Sequence, residues 1–265
     1  GSSWITYTQR HDAIGLGYDD YMIQHAGFNP FEHRRFLKDY FSGARDDSPA
    51  CGALFSVNPK TNDARISGSL ASLCGLEKAL DDQHEFMIRQ AISKILMMQA
   101  HSFFLGGLPM IFYGDEAGYT NDYSYLQDPG KSYDNRWMHR PVIDWDKNKR
   151  INAEGTIEYQ VFHATQKLIS IRKKLFAVGD YKNLTWMTPH NIHIAGYLRT
   201  FEDQKIYCLF NFTDQEAYLT WFAFKEHGAA PATLYDHWNE KEIETGYDHQ
   251  YLVLEPYQFL ILEAK

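Results

Sequence analysis

The chain has 265 residues, 44% of them hydrophobic and 23% charged, and carries a net charge of −8. That apolar content suffices for a packed core and excludes a disordered chain. The acidic balance speaks against a nucleic-acid partner or docking on anionic lipid, and no apolar run approaches the roughly 20 residues of a membrane helix.

Trp4-Ile5-Thr6-Tyr7-Thr8 is aromatic and β-branched and predicts a short strand. It runs into Arg10-His11-Asp12-Ala13-Ile14-Gly15. A polar pair after a strand and before a glycine is where α/β barrels place catalytic groups. Residues 16–80 read as a long inserted loop carrying one helix, and an insertion of that length is usually functional. Asn29-Pro30-Phe31-Glu32 opens the helix, with Asn as N-cap and Pro at the first helical position, and Gly43 closes it. Asp82 with Glu85 resembles a capping box. The helix it would open carries Ile88, Ala91, Ile92, Ile95 and Met98 on one face and ends at Gly106-Gly107. Leu108–Tyr113 predicts a buried strand with its proline near the start. A polar loop over 114–155 leads to a helix marked by Val161, Ala164, Leu168, Ile171 and Leu175, which Gly179 ends. Strand, long loop and helix, twice over, make two βα units of a parallel sheet.

After residue 180 the pattern changes. Strand-like runs stand at 184–187, 191–199, 205–212, 217–224, 232–236 and 250–263, the last of them broken at Pro256. Their spacing predicts an antiparallel β-sandwich. The expected domains are therefore 1–179 and 180–265.

Four ordered motifs carry a resemblance. They are Tyr7-Thr8-Gln9-Arg10-His11-Asp12; Asn58-Pro59-Lys60-Thr61 with Asp63-Ala64-Arg65-Ile66-Ser67-Gly68; Gly106-Gly107-Leu108-Pro109 through Gly114-Asp115-Glu116; and Asp134-Asn135-Arg136-Trp137-Met138-His139-Arg140-Pro141. Together they resemble the α-amylase superfamily (glycoside hydrolase family 13), and within it the amylosucrase and sucrose hydrolase group. The resemblance implies an α/β fold: the last two βα units of a TIM (β/α)8 barrel with long inserted loops, then the β-sandwich. It implies a retaining enzyme acting on sucrose or another α-glucoside, with a glucan acceptor. Retaining glycosidases need a nucleophile and a general acid/base about 5 Å apart. The resemblance puts both on earlier barrel strands, so a missing N-terminal barrel segment is expected as partner and this chain by itself should be inactive.

By the same resemblance, Asp12 is a third carboxylate that offsets charge in the oxocarbenium-like transition state, and His11 binds a hydroxyl of the same glucosyl unit. Arg136 would close the bottom of the glucosyl pocket through a salt bridge to an aspartate upstream of this chain. Arg65 and Arg34 would line the acceptor side with Phe36 beside them. Arginine suits such a role because its planar fork binds with fixed geometry. The group usually has a second aspartate directly after the catalytic one, and here that position is Ala13. Asp115-Glu116 looks catalytic by residue type, but the resemblance implies a structural role. Read from the residues alone, His11-Asp12 could also be an ordinary loop pair or half of a metal phosphohydrolase site. A starch- or maltoside-acting relative and a non-catalytic binding protein are the competing functions.

Cys51, Cys74 and Cys208 are far apart and odd in number, which suggests neither disulfides nor a zinc site. Reduced thiols and the absence of a signal-like N-terminus predict a cytoplasmic protein. No metal and no cofactor is expected.

Overall fold

The computed structural model describes residues 3–180 and 182–265. The first elements are β1 (Ile5–Thr6), α1 (Asp20–His25), α2 (Pro30–Phe41), β2 (Ala53–Phe55), β3 (Arg65–Ser67), α3 (Leu70–Leu73) and α4 (Leu76–Asp81). Next come α5 (Glu85–Phe104), β4 (Leu108–Pro109), α6 (Trp145–Lys149) and α7 (Ile157–Lys174). The β-rich part holds β5 (Leu184–Trp186), β6 (Ile194–Phe201), β7 (Gln204–Asn211), β8 (Ala217–Thr220), β9 (Thr233–Asp236), β10 (Lys241–Glu244), β11 (Tyr251–Leu254) and β12 (Phe259–Ala264).

Local chemistry explains most of the boundaries. The Asn29 side chain accepts from the amides of Phe31 at 3.0 Å and Glu32 at 3.1 Å, as its N-cap position demands. The capping-box reading of Asp82 does not hold. Asp82 follows the last turn of α4, and its amide bonds back to Lys78. The start of α5 is capped instead by His84, whose Nδ1 accepts from Met87 N at 3.4 Å.

The chain forms two compact units, and α5 and α7 contribute residues to both. One unit comprises the stretch ending at Thr8, Leu96–Met110 and His163–Lys265. Its main sheet has six strands in the order β10-β9-β12-β7-β6-β5, every neighbouring pair antiparallel. A second ribbon pairs β8 with β11. Register sets the core: Leu262 lies opposite Tyr207, and Leu198 lies opposite Tyr207 on the other side. These residues, with Leu209 and Leu260, pack into one apolar cluster with Leu219, Leu252 and Leu254 of the ribbon. Each such buried side chain contributes about 1.5–3 kcal/mol. On the opposite face, His101 of α5 meets the rings of Tyr197 at 5.9 Å and Phe210 at 5.1 Å.

Two arginines close the C-terminal end of α5. Arg199, fully buried, donates to the carbonyls of Leu105 and Phe104, and its Nε reaches Asn183 Oδ1 at 2.9 Å. Arg172 donates to the carbonyls of Phe103 and Gly107. Cations suit this end, where helix carbonyls lack intrahelical partners. Gly106, at φ +122°, is required here, because a Cβ would come within 2.5 Å of Arg199 Nη1.

β1 and β4 form a parallel pair, Ile5 opposite Leu108 and Thr6 opposite Pro109. The strands expected over 4–8 and 108–113 are thus cut to two residues each. Among the described residues each has one strand neighbour, which limits how far a ladder extends. The strands of the β domain follow the expected runs better, and the main sheet is antiparallel as expected. The run 217–224 is an exception, since it leaves the strand at Thr220 and turns into a 3-10 helix over Trp221–Lys225. β10 was not expected, because Lys241-Glu242-Ile243-Glu244 is a charged edge strand.

The other unit holds Gln9–Ile95 and Ile111–Phe162. Residues 16–80, expected to be mostly loop, fold into helices and an antiparallel β2–β3 pair. Leu16, Ile66 and Leu73 form one small apolar cluster in it, with Ile14, Leu37, Phe41 and Leu54 against them.

Candidate functional site

The turn from Gln9 to Ile14 is held at one end by Ile66 of β3 and at the other by Gly68, directly after that strand. Gln9 is buried and its amide nitrogen donates to the Gly68 carbonyl, while its Oε1 accepts from Arg10 N at 2.9 Å. Ile14 and Ile66 exchange backbone hydrogen bonds at 2.7 and 2.9 Å. Between these anchors stands Asp12, with its side chain 29% exposed. Three cationic or titratable groups face it: Arg136 Nη1 at 3.2 Å, His11 Nε2 at 3.5 Å and Arg10 Nη2 at 3.6 Å.

Arg136 sits on a 3-10 turn, Asn135–His139, whose N-cap is Asp134. The Asp134 carboxylate takes Arg136 Nε at 2.9 Å and Nη2 at 2.8 Å, and the Arg136 amide at 3.0 Å. The guanidinium lies over the Phe55 ring at 4.6 Å. One edge of the planar fork is therefore occupied by Asp134, and Nη1 is left for Asp12. Arg136 was expected to pair with an aspartate outside the chain, but within the chain its fork already has two carboxylates. The hydrogen bonds from Arg136 hold Asp134 below the usual carboxylate range, so Asp134 stays ionised and is unsuited to general-acid work.

The same turn grips His11 from behind. Arg140 Nε donates to the His11 carbonyl at 2.8 Å, and His139 Nε2 meets that carbonyl at 3.2 Å. His139 is buried and its Nδ1 accepts from Gly68 N at 3.1 Å. In the sequence His139 carries no functional signal beyond its place three residues after Arg136 in the Asp134–Pro141 motif. Ala13 is 5% exposed, so a carboxylate at that position would be desolvated.

Arg34 and Arg65 are brought together in a neighbouring concavity of about 510 Å³, which Gly15, Arg35, Lys38 and Asp63 also line. Arg34 is engaged by Asp20 at 2.5 Å, a bond that raises its pKa, and Arg35 pairs with Glu32. Lys38 buries its stem and donates to the Asn62 carbonyl at 3.3 Å. Phe36 does not join them. It is half exposed, stacks on Tyr40 at 5.9 Å and lies under the Arg45 guanidinium at 4.8 Å. Asp12 and Arg136 are not among the residues lining the concavity.

Burial pushes the Asp115 carboxyl up to about 8. Such a shift can mark a catalytic acid. Asp115 is instead enclosed in a 3-10 turn, and its neighbour Glu116 accepts from Gly114 N at 2.8 Å, which is a structural arrangement. Among the described residues, no group of three or more His, Cys, Asp or Glu side chains could hold a metal ion. No helix among them is long and apolar enough to cross a membrane.

The β domain carries a family match. Residues 184–261 match the family model described as maltogenic amylase, C-terminal domain. Among solved structures, a variant of AmyP in complex with maltotriose is similar over 74% of this chain and 38% of its own, at 15% identity and a TM-score of 0.52. Bacillus licheniformis trehalose-6-phosphate hydrolase (TreA) matches over 65% of this chain and 39% of its own, at 15% identity and a TM-score of 0.44. An Anoxybacillus α-amylase matches over 68% and 34%, at 15% identity and a TM-score of 0.43. The chain thus spans well under half the length of these structures. The AmyP likeness extends over more of the chain than the β domain and shows a shared fold.

Proposed function

We propose that this chain forms the C-terminal part of a retaining enzyme that acts on α-glucosides, with Asp12 as its transition-state-stabilising carboxylate. The observation that carries this reading is the pairing of Asp12 with Arg136 at 3.2 Å, on a turn anchored at Gln9 and Ile14. Residues 1–179 are assigned to the end of a (β/α)8 barrel and residues 180–265 to its β domain. Support comes from the parallel β1–β4 pair, the amylase C-terminal match at 184–261 and the AmyP fold.

In this reading the nucleophile and acid/base belong to an upstream segment. Asp12, held by Arg136 at 3.2 Å, stabilises the positive charge that develops on the glucosyl ring. A preorganised group of this kind is worth roughly 3–4 kcal/mol in the transition state. His11, 65% exposed at its side chain, is free to turn toward a sugar hydroxyl. Arg34 and Arg65 form the acceptor side, with a glucan as acceptor. Phe36, outside their concavity, is dropped from that role. We assign sucrose as donor from the resemblance around Arg136. The three cysteines stand as free thiols; a cytoplasmic setting is part of the proposal and rests on the sequence alone.

A second reading, a maltooligosaccharide donor, is favoured by the AmyP complex with maltotriose and by the family model. Kinetics of the complete enzyme on sucrose and on maltotriose separate the two. Fructose release with kcat/KM at least tenfold above that for maltotriose is the expected result, and the reverse order assigns the maltoside reading. Turnover of neither sugar would overturn the α-glucoside proposal.

A further inference from the structure

His139 connects two backbone segments that the proposed chemistry needs in register. Its ring lies between Gly68, directly after β3, and the carbonyl of His11, the residue before Asp12. The amide of Gly68 can only donate, so Nδ1 must be the unprotonated nitrogen. The proton is then on Nε2, which donates to the His11 carbonyl. Both ring nitrogens are used and the tautomer is fixed. The imidazole is 1% exposed, with no room to turn over without breaking both bonds.

We propose that His139 is a positioning residue, holding the Asp12 carboxylate in place through the His11 carbonyl. The proposal rests on the reading of Asp12 as the catalytic carboxylate. Arg140 Nε shares the same carbonyl at 2.8 Å, so the peptide before Asp12 is fixed by two donors from one turn. That turn also supplies Arg136, which contacts Asp12 directly. The 3-10 turn therefore sets the carboxylate from two sides: its cation by Arg136 and its backbone by His139 and Arg140. Burial pushes the His139 imidazole down to about 4, which keeps the ring neutral and Nδ1 an acceptor across the ordinary working range.

Two near-isosteric variants divide the role. His139→Gln can present an amide NH2 where Nε2 stands and keep the bond to His11. His139→Asn can present an oxygen where Nδ1 stands and keep only the bond to Gly68. In the complete enzyme, His139→Asn should lower kcat by about tenfold with KM within about twofold, since small misplacement of a reacting group costs rate more than binding. His139→Gln should stay within about threefold of the parent. Asp12→Asn, measured alongside, separates the proposal from the reading beneath it. If Asp12→Asn is inactive and both His139 variants match the parent, the positioning role is wrong and the reading stands. If both His139 variants fall together with their melting temperatures, the role is structural only and the proposal is again overturned. An active Asp12→Asn enzyme removes the reading and the proposal with it. Nitrogen-15 NMR of the unmodified protein gives a check that needs no variant: the His139 ring should be the Nε2-H tautomer with a slowly exchanging proton, and an Nδ1-H ring would contradict the assignment.

Discussion

Around Asp12 the geometry depends on which atoms of one guanidinium go where. Asp134 occupies Nε and Nη2 of Arg136, and Asp12 receives Nη1. Arg136→Lys keeps the charge but not the fork. It should lower kcat/KM of the complete enzyme by about a hundredfold, a loss measurable by steady-state kinetics. Arg136 was recognisable from its motif; its partner was not, because Asp134 lies two residues away and becomes a partner only when the 3-10 turn forms. Two buried groups make stability depend on pH in opposite senses. Asp115 is raised to about 8, so the folded chain holds a proton that the unfolded chain releases near pH 4. Its contribution is present at low pH and is lost as pH rises toward 8. Asp115→Asn should be more stable than the parent by about 2–5 kcal/mol near pH 8.5, with the gap closing near pH 4.5, as read by urea unfolding. His139 is lowered to about 4, so protonation of the unfolded chain begins first as pH falls below about 6.5. Its contribution is present above that value and is lost on the way down to pH 4, by up to about 3 kcal/mol.

Among the elements, those marked by side-chain chemistry were legible. Asn29-Pro30 opened α2 as expected, and the apolar spacing of α5 and α7 gave both helices. Asn29→Ala should cost about 1 kcal/mol of stability, measured by thermal or urea unfolding. Elements that depend on distant partners were not legible. The capping residue of α5 is His84, a residue type that seldom signals a helix start. The polar stretch after Gly43 gives no periodic pattern, yet β2 and β3 form because Ile66 has Leu16 and Leu73 to pack against. Trp221–Phe224 is apolar enough for a strand but buries Trp221, Ala223 and Phe224 as a 3-10 turn. Arg199 reads in sequence as one polar residue of a strand. In the fold it donates to α5 carbonyls and to Asn183. Arg199→Met should destabilise the protein by about 3–5 kcal/mol, because buried acceptors lose their donor and no carboxylate is relieved in exchange.

For the molecule as a whole, the sequence conveyed the strands of the β domain, whereas the strands expected over 4–8 and 108–113 shrink to one parallel pair. Alternating strands with turn residues are local signals, and the six-stranded sheet follows from them. In the proposed reading β1 and β4 belong to a barrel, a long-range closure toward which they offer two residues each. Along that pair Trp4, Ile5 and Leu108 are exposed at 68%, 60% and 62%. Exposed apolar groups beside an open strand pair are a liability for association. Under the proposed reading, a segment with the preceding barrel strands covers them. The chain expressed alone should therefore self-associate in sedimentation at micromolar concentration. Co-expression with that segment should return a discrete complex, and a monomer indifferent to the segment would count against this part of the account.

The central claim is that Asp12 offsets transition-state charge, and the most direct measurement is kcat of the complete enzyme with Asp12→Asn, a near-isosteric change that removes the charge and turns one acceptor oxygen into an NH2 donor. A loss of about 10²–10³-fold in kcat with an unchanged melting temperature is the expected result. A variant that turns over its α-glucoside at the parent rate would contradict the account.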